Sequence, residues 1–491
     1  MKKQPNIIYL LNDHQAYYGH TIPKRPCFEA FAKEGVEFEN TYTACPLCGP
    51  ARRTMLTGLY PHHHQELIND QDHPYDRETY LDILAANGYR NYYFGKWHAG
   101  PGTAFDHHCE GFSYPSYNNP YTKPEYKEYL ERYHLPEPEV RIERSFISRN
   151  NNLVEGELYR QTNKWCNEHA TGVLMTPKET HEAFFLAELA CEKLEELAAS
   201  PSEQPFSLRV DFWGPHQPYF PTQEYVDWYK AEDIPEYPSF CDDLSGKPEV
   251  YWREDNTPMG RNDRLLVPNP MPWTQWQKVL QKCYAQISLV DAAGGKIIRK
   301  LKELGMYEDC LIIWTTDHGD AVASHGGHFD KRSYLSEEML RIPLAMRYSG
   351  VLPQGIQIKE AVSNTSLAPT MLAAAGLHFE QPVDGENLIE KVLSPEPPKE
   401  AYMVSESYGH MEKHFALAIS DGEWKYVYNR GQLGELYCLS KDPYEMKNLI
   451  QDEAYKDQRQ RIKKLLLQWA QKHENQDALK EFKDSSDPEL A

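Results

Sequence analysis

The chain has 491 residues, 52 of them basic and 73 acidic, and a formal net charge of −21. That balance repels nucleic acid and anionic lipid at long range, so an anionic substrate needs a locally basic pocket and neither nucleic acid nor a membrane is expected as a partner. With 40% apolar and 25% charged residues, and no run near the roughly 20 apolar residues of a membrane span, the composition also argues against a disordered, fibrous or membrane-spanning chain.

In chain order, MKKQPNIIYLLND reaches Asn12 and Asp13 after five apolar residues. It reads as a buried strand rather than a secretion signal, which points to a cytoplasmic location. CFEAFAKEGVEFENTYT reads as a helix ending at Gly35 followed by a strand, ARRTMLTG as a helical turn, and TYLDILAANGYRNYYFGKWH as a helix capped by Gly88 and then a strand. THEAFFLAELACEKLEELAAS is an amphipathic helix, and FSLRVDFWGPHQPYFP a strand leading to His216. KCYAQISLVDAAGGKIIRKLKELGMYEDCLIIWTTDHGD gives a long helix ending at Gly305 and a buried strand ending at Asp317. This alternation predicts an α/β fold with a large, mostly parallel central sheet flanked by helices. Ligands of such sheets gather beyond the carboxyl ends of the strands, where Asp13, Lys96, His98, His216, Asp317 and His318 all fall.

Two stretches, 110–140 and 241–273, lack clear periodicity and read as lids or pocket walls. After a Pro-rich break near LSPEPPKEAYMVSE, short strands with turn signals and a final charged helix predict a small C-terminal α+β domain. The expected division is a catalytic domain over 1–390 and a C-terminal subdomain over 391–491. The ten cysteines form no regular framework, and a chain of this length does not need disulfides, so reduced thiols are expected.

The stretch CPLCGPARRTMLTG, 45–58, can be read as a redox pair, a metal knuckle or one modified cysteine in an anion site. No second cysteine pair completes a zinc site, and the context is not that of a small redox fold. Cys48-Gly49-Pro50-Ala51-Arg52 followed by Thr57-Gly58 resembles the sulfatase signature C-x-P-x-R, which directs oxidation of the cysteine to formylglycine. PNIIYLLND, GYRNYYFGKWHAG, GPHQPY, TTDHGD, HGGHFDKRSYLSEEMLRIPL and ELYCLSKDPYEMKNL stand in an order similar to that of type I sulfatases of the alkaline phosphatase superfamily, from end to end of the chain.

The resemblance implies a sulfatase acting on a sulfate ester, with a sugar as the expected carrier. A formylglycine made from Cys48 by a maturase partner would be the nucleophile, its hydrate attacking sulfur with one hydroxyl and expelling the bound sulfate with the other. Asp13, Asp317, His318 and the group at 48 would hold a divalent metal, with calcium first and magnesium or manganese as alternatives. Arg52 would anchor the nucleophile, Lys96 and Lys331 would bind sulfate oxygens, His98 would take a proton, and His216 would protonate the leaving oxygen.

Where many sulfatases have two successive aspartates, this chain has Asp13-His14, so His14 is a further candidate ligand. A single aspartate there also occurs in phosphonate monoester and phosphodiester hydrolases of the superfamily, which form the enzymatic alternative. A non-catalytic binder of sulfated ligands is the alternative from another class. Cys45 reads as a buried thiol, His62-His63-His64 as a pocket rim, and His107, His108, His325 and His328 as polar residues satisfied by neighbours.

Overall fold

A computed structural model describes residues 4–17, 23–115, 119–145, 153–160, 169–394, 402–410, 412–485 and 490. Its main sheet runs in the order Ile356–Ile358, Val36–Tyr42, Arg341–Tyr348, Cys310–Thr316, Asn6–Asn12, Phe206–Asp211, Arg90–Lys96, Cys109–Tyr114, with Val362–Ser363 also paired to Val36–Tyr42. Arg341–Tyr348 is antiparallel to both of its neighbours, and the other pairings of the sheet are parallel.

The strands at the centre are apolar on both faces because helices cover both. Ile8, Leu10, Ile312 and Trp314 pack with Phe28 and Phe31 of the helix Pro26–Lys33, with Leu194 of Glu182–Ala199 and with Leu289 and Ile297 of Trp273–Glu303. The alternate residues Ile7, Tyr9, Leu11, Leu311 and Ile313 meet Met55 and Leu56 of Cys48–Thr57, Leu81 and Leu84 of Tyr80–Ala86, and Leu367 and Met371 of Leu367–Ala374. Among the described residues no helix is long and apolar enough to cross a membrane, and nine cysteines are free thiols, Cys166 lying outside that set.

The C-terminal strands Met403–Gly409, Lys413–Ser420, Trp424–Asn429 and Glu435–Cys438 form an antiparallel meander. The helix Lys456–Lys472 packs on it through Ile462, Leu466 and Trp469. Much of the Pro-rich break, 395–401, lies outside the described residues.

Both stretches read as aperiodic contain regular structure. The first holds the strand Cys109–Tyr114, the helix Pro124–Arg132 and the start of the strand Glu139–Ser145. The buried stripe of that helix is Tyr126, Tyr129 and Leu130, an amphipathic spacing that tyrosine's polar tip disguises in the sequence. In the second, short 3₁₀ and β segments wall the loop after Asp317: Tyr251 stacks on Tyr334 with ring centroids 4.0 Å apart, and Glu254 faces His328 Nδ1 at 3.3 Å. The long helix starts at Trp273, just after Pro272, well before the predicted Lys282.

Candidate active site

Strand register builds the site. Asn12 pairs with Thr316, so Asp13 and Asp317 leave the sheet side by side; Leu11 pairs with Asp211, and Asp211 with Gly95, which sets Lys96 next to them. Gly95 has φ +125, and a Cβ there would stand 2.0 Å from the Asp211 carbonyl oxygen, so that close approach requires glycine.

Facing these strand ends is the helix Cys48–Thr57, which ends at Gly58 in the left-handed region, φ 72. The C-x-P-x-R spacing places Cys48 in its first turn and Arg52 one turn on, along the same face. Pro50 costs no hydrogen bond in a first turn, and the helix N-terminus favours negative charge beside residue 48.

Cys48 Sγ lies 3.1 Å from His318 Nε2 and 3.6 Å from Asp13 Oδ1. Arg52 spreads its guanidinium over three carboxylates: Nε donates to Asp317 Oδ2 at 2.9 Å, Nη1 to Asp211 Oδ2 at 2.9 Å, and Nη2 lies 3.2 Å from Asp13 Oδ2. Lys96 Nζ donates to the same Asp13 oxygen. Burial opposes the charge of Asp13, yet Lys96 and Arg52 hold its carboxyl well below the ordinary range. Asp317 Oδ1 accepts from the backbone N–H of His14 and of His318, both at 2.9 Å.

Asp13, Cys48, Asp317 and His318 are buried, and one ligand atom from each lies within 4.8 Å of the others. His318 Nδ1 is 2.8 Å from the Gly319 carbonyl oxygen, which can only accept, so Nε2 is left with its lone pair toward Cys48. Two oriented carboxylates and one imidazole acceptor make a donor set that fits a divalent cation.

A second group adjoins the first. His216 Nε2 lies 3.3 Å from Lys331 Nζ, which also donates to Asp330 Oδ1 at 3.2 Å. His216 Nδ1 is fixed 2.7 Å from the Gln217 carbonyl oxygen. Burial and Lys331 hold His216 well below the ordinary histidine range. Against burial, Asp330 raises Lys331. His14 belongs to this group: its ring centroid is 4.8 Å from that of His216 and 4.9 Å from that of His318, and Nε2 faces Asp330 Oδ1 at 3.5 Å and Asp320 Oδ1 at 3.6 Å. Its φ of 61 is unusual for a non-glycine residue, as is the φ of 39 at His98. His98 turns its Nε2 toward Asp70 Oδ1, 3.2 Å away.

Sequence reading missed Asp211, Asp330, Asp320 and Glu182. Asp211 ends a buried strand as its only acidic residue, a signal that was available. Glu182 accepts from the backbone N–H of Gly214 at 2.8 Å and so fixes the turn that carries His216. Nothing in the sequence tied it to that turn. His62 and His63 face Glu406 and Asp384, and join the signature helix's exit to the C-terminal segment. His107 pairs with Asp82, and His328 with Glu254 and the Tyr251 carbonyl oxygen.

The sulfatase family profile matches residues 5–377, and the profile of the N-sulphoglucosamine sulphohydrolase C-terminal region matches 324–472. The chain belongs to the sulfatase family and is a sulfuric ester hydrolase. It is 24% identical over 471 residues to an ulvan-active sulfatase of Formosa agariphila, across 91% of this chain and 77% of that one. It is 23% identical, over an alignment 530 positions long, to an N-acetylglucosamine-6-O-sulfatase of Bacteroides thetaiotaomicron, across 97% of this chain and 88% of that one. Among solved structures, one in complex with its substrate D-glucosamine-2-N,6-O-disulfate superposes with a TM-score of 0.70 at 18% identity over 96% of this chain and 99% of that one. A phosphonate monoester hydrolase of Agrobacterium radiobacter gives 0.72 at 20% identity over 96% of each. Both share the fold.

Proposed function

We propose that this sulfatase removes sulfate from a sulfated carbohydrate, using formylglycine made from Cys48 and a divalent cation held by Asp13, Asp317, His318 and the group at position 48. One observation carries the reading: Cys48 Sγ lies at the first turn of its helix, 3.1 Å from an imidazole nitrogen and 3.6 Å from a carboxylate oxygen. The hydrated aldehyde supplies two hydroxyls on one carbon, one to attack sulfur and one to release the sulfate afterwards. The cation, calcium first, with magnesium and manganese as the other candidates, supplies a Lewis acid beside the nucleophile.

The chain's own groups do the rest. Arg52 keeps the carboxylates of Asp13 and Asp317 turned toward position 48. Lys96 and Lys331 offer positive charge to sulfate oxygens in a pocket shielded from water. His216, with Nδ1 committed to the Gln217 carbonyl, presents Nε2 to the leaving oxygen. His98, oriented by Asp70, receives the proton of the second hydroxyl. A carbohydrate is favoured because named relatives act on ulvan and on N-acetylglucosamine-6-O-sulfate.

A second reading, hydrolysis of phosphonate monoesters or phosphodiesters, is favoured by His14 standing directly after Asp13. The test has two parts. The mass of the Cys48 peptide from protein co-expressed with a formylglycine-generating maturase is expected to show the aldehyde; unmodified cysteine overturns the mechanism. Aryl sulfate and aryl phosphonate are then assayed side by side with each cation, and the sulfate is expected to turn over with the higher kcat/KM. Faster phosphonate turnover establishes the second reading instead.

A further inference from the structure

We propose that His325, Glu338 and Glu445 form a separate, structural divalent-cation site of the zinc class, joining the loop that carries Lys331 to the C-terminal sheet.

His325 and Glu338 stand on one stretch of chain and Glu445 more than a hundred positions further on; all three are buried, with one ligand atom from each lying within 4.8 Å of the others. None of the three atoms, His325 Nε2, Glu338 Oε2 and Glu445 Oε1, makes a hydrogen bond, and only Glu445 Oε1 has a cation close by, the Lys425 ammonium. A buried polar atom left without any partner costs about 1–3 kcal/mol, and His325 Nε2 and Glu338 Oε2, converging with Glu445 Oε1, call for a common one. His325 Nε2 and Glu338 Oε2 are 3.6 Å apart. That is too long for a hydrogen bond, but near the roughly 3.3 Å between neighbouring ligands of a tetrahedral ion with bonds of about 2.0–2.1 Å.

The far side of each residue is anchored. His325 Nδ1 lies 3.1 Å from Asp242 Oδ2, Tyr237 donates its hydroxyl to Glu338 Oε1 at 3.0 Å, and the Glu337 N–H donates to Glu445 Oε2 at 2.8 Å. Metal-binding histidines and carboxylates are held in this way, with a carboxylate on the second imidazole nitrogen fixing the tautomer. Lys247 Nζ, beside the cluster, donates to the Tyr437 hydroxyl at 2.7 Å and to the Glu445 carbonyl oxygen. Lys425 Nζ approaches Glu445 Oε1 to 2.8 Å, outside hydrogen-bond direction, and also serves Glu337 at 3.0 Å. Glu337, Glu338 and Tyr237 also line a cavity of about 570 Å³, which supplies an entry path.

The rival occupant is a proton: an imidazolium at His325 bridging Asp242 and Glu338 with no ion. Metal analysis of the full-length protein, purified without chelator and supplied with zinc, separates the two. One equivalent beyond the ion of the Cys48 cluster is expected, lost in His325→Ala and in Glu338→Gln and retained in Asp317→Asn. Cobalt substitution of the unaltered protein should give the visible band of four-coordinate cobalt, absent after His325→Ala and present after Asp317→Asn. Equal metal content in the unaltered protein and His325→Ala, or a cobalt band removed by Asp317→Asn alone, overturns the site and leaves the imidazolium bridge.

Discussion

Arg52 Nη1 donates to Asp211 Oδ2 at 2.9 Å, tying the helix of Cys48 to the end of the strand Phe206–Asp211. Asp211 also takes Arg209 Nε at 2.6 Å, Arg209 Nη2 at 2.8 Å and the Tyr93 hydroxyl at 2.7 Å. It is the counter-charge for two buried guanidiniums, that of Arg52, which orients the site, and that of Arg209, which lies over the rings of Tyr9 and Tyr93.

Asp211→Asn should therefore destabilise the fold by about 3–5 kcal/mol, because Arg209 would be left as an uncompensated buried cation. Urea unfolding measures this. Arg52 keeps Asp317 and Asp13, so the folded variant should still turn over substrate, with kcat lowered more than KM. A fold unmoved by more than about 1 kcal/mol would mean that Arg209 finds another partner.

The contact between Lys331 Nζ and His216 Nε2, 3.3 Å, sets a pH limb. A general acid works only while protonated, so kcat/KM falls as pH rises through its pKa. Burial and Lys331 both depress His216; Lys331→Met removes the second, so the descending limb should move to higher pH. The same change deletes a sulfate-holding cation, and kcat should drop by about 10²–10³. A limb that stays in place would assign the acid to another group.

How far the sequence carried the reading varies by element. The buried strands were legible because a two-sided sheet makes a continuous apolar run, and the strand ends at Asp13, Lys96 and Asp317 because charge interrupts that run. The partnership of Asp211 with Arg52 was not legible: it depends on register across strands more than a hundred residues apart. Tyrosine hid the helix Pro124–Arg132. His325 read as an ordinary satisfied polar residue, and only the fold shows its second nitrogen facing Glu338 and Glu445.

Glu182 makes stability depend on pH. Burial pushes its carboxyl up to about 7 from an unfolded value of 4.5. Between those values the unfolded chain has released the proton that the folded chain keeps, so stability falls as pH rises, by about 3 kcal/mol across the window. Glu182→Gln keeps an acceptor for the Gly214 N–H and cannot ionise. Its unfolding free energy should lose that slope between pH 4.5 and 7, measured by denaturant melts at each pH against the unaltered protein.

Asp384 carries the opposite sign. Its Oδ2 accepts from the Tyr60 N–H and faces His63 Nδ1, and its Oδ1 faces His473 Nδ1, each at 2.8 Å, so one carboxylate joins the signature helix's exit to the end of the helix Lys456–Lys472. Burial opposes the charge, but His473 and His63 hold the carboxyl below its ordinary 3.8. The stability it contributes is present above 3.8 and is lost as pH falls through the lower folded value. Asp384→Asn should cost about 2–4 kcal/mol at neutral pH, from charged hydrogen bonds worth about 1.5–3 kcal/mol each, part of which the amide retains. The gap between the variant and the unaltered protein should close as the pH is taken below 3.8, because the unfolded chain's carboxylate takes up a proton there while the native one stays charged, and the variant's amide binds none. A gap that stays constant through that range would trace the loss to packing rather than to the carboxylate's charge.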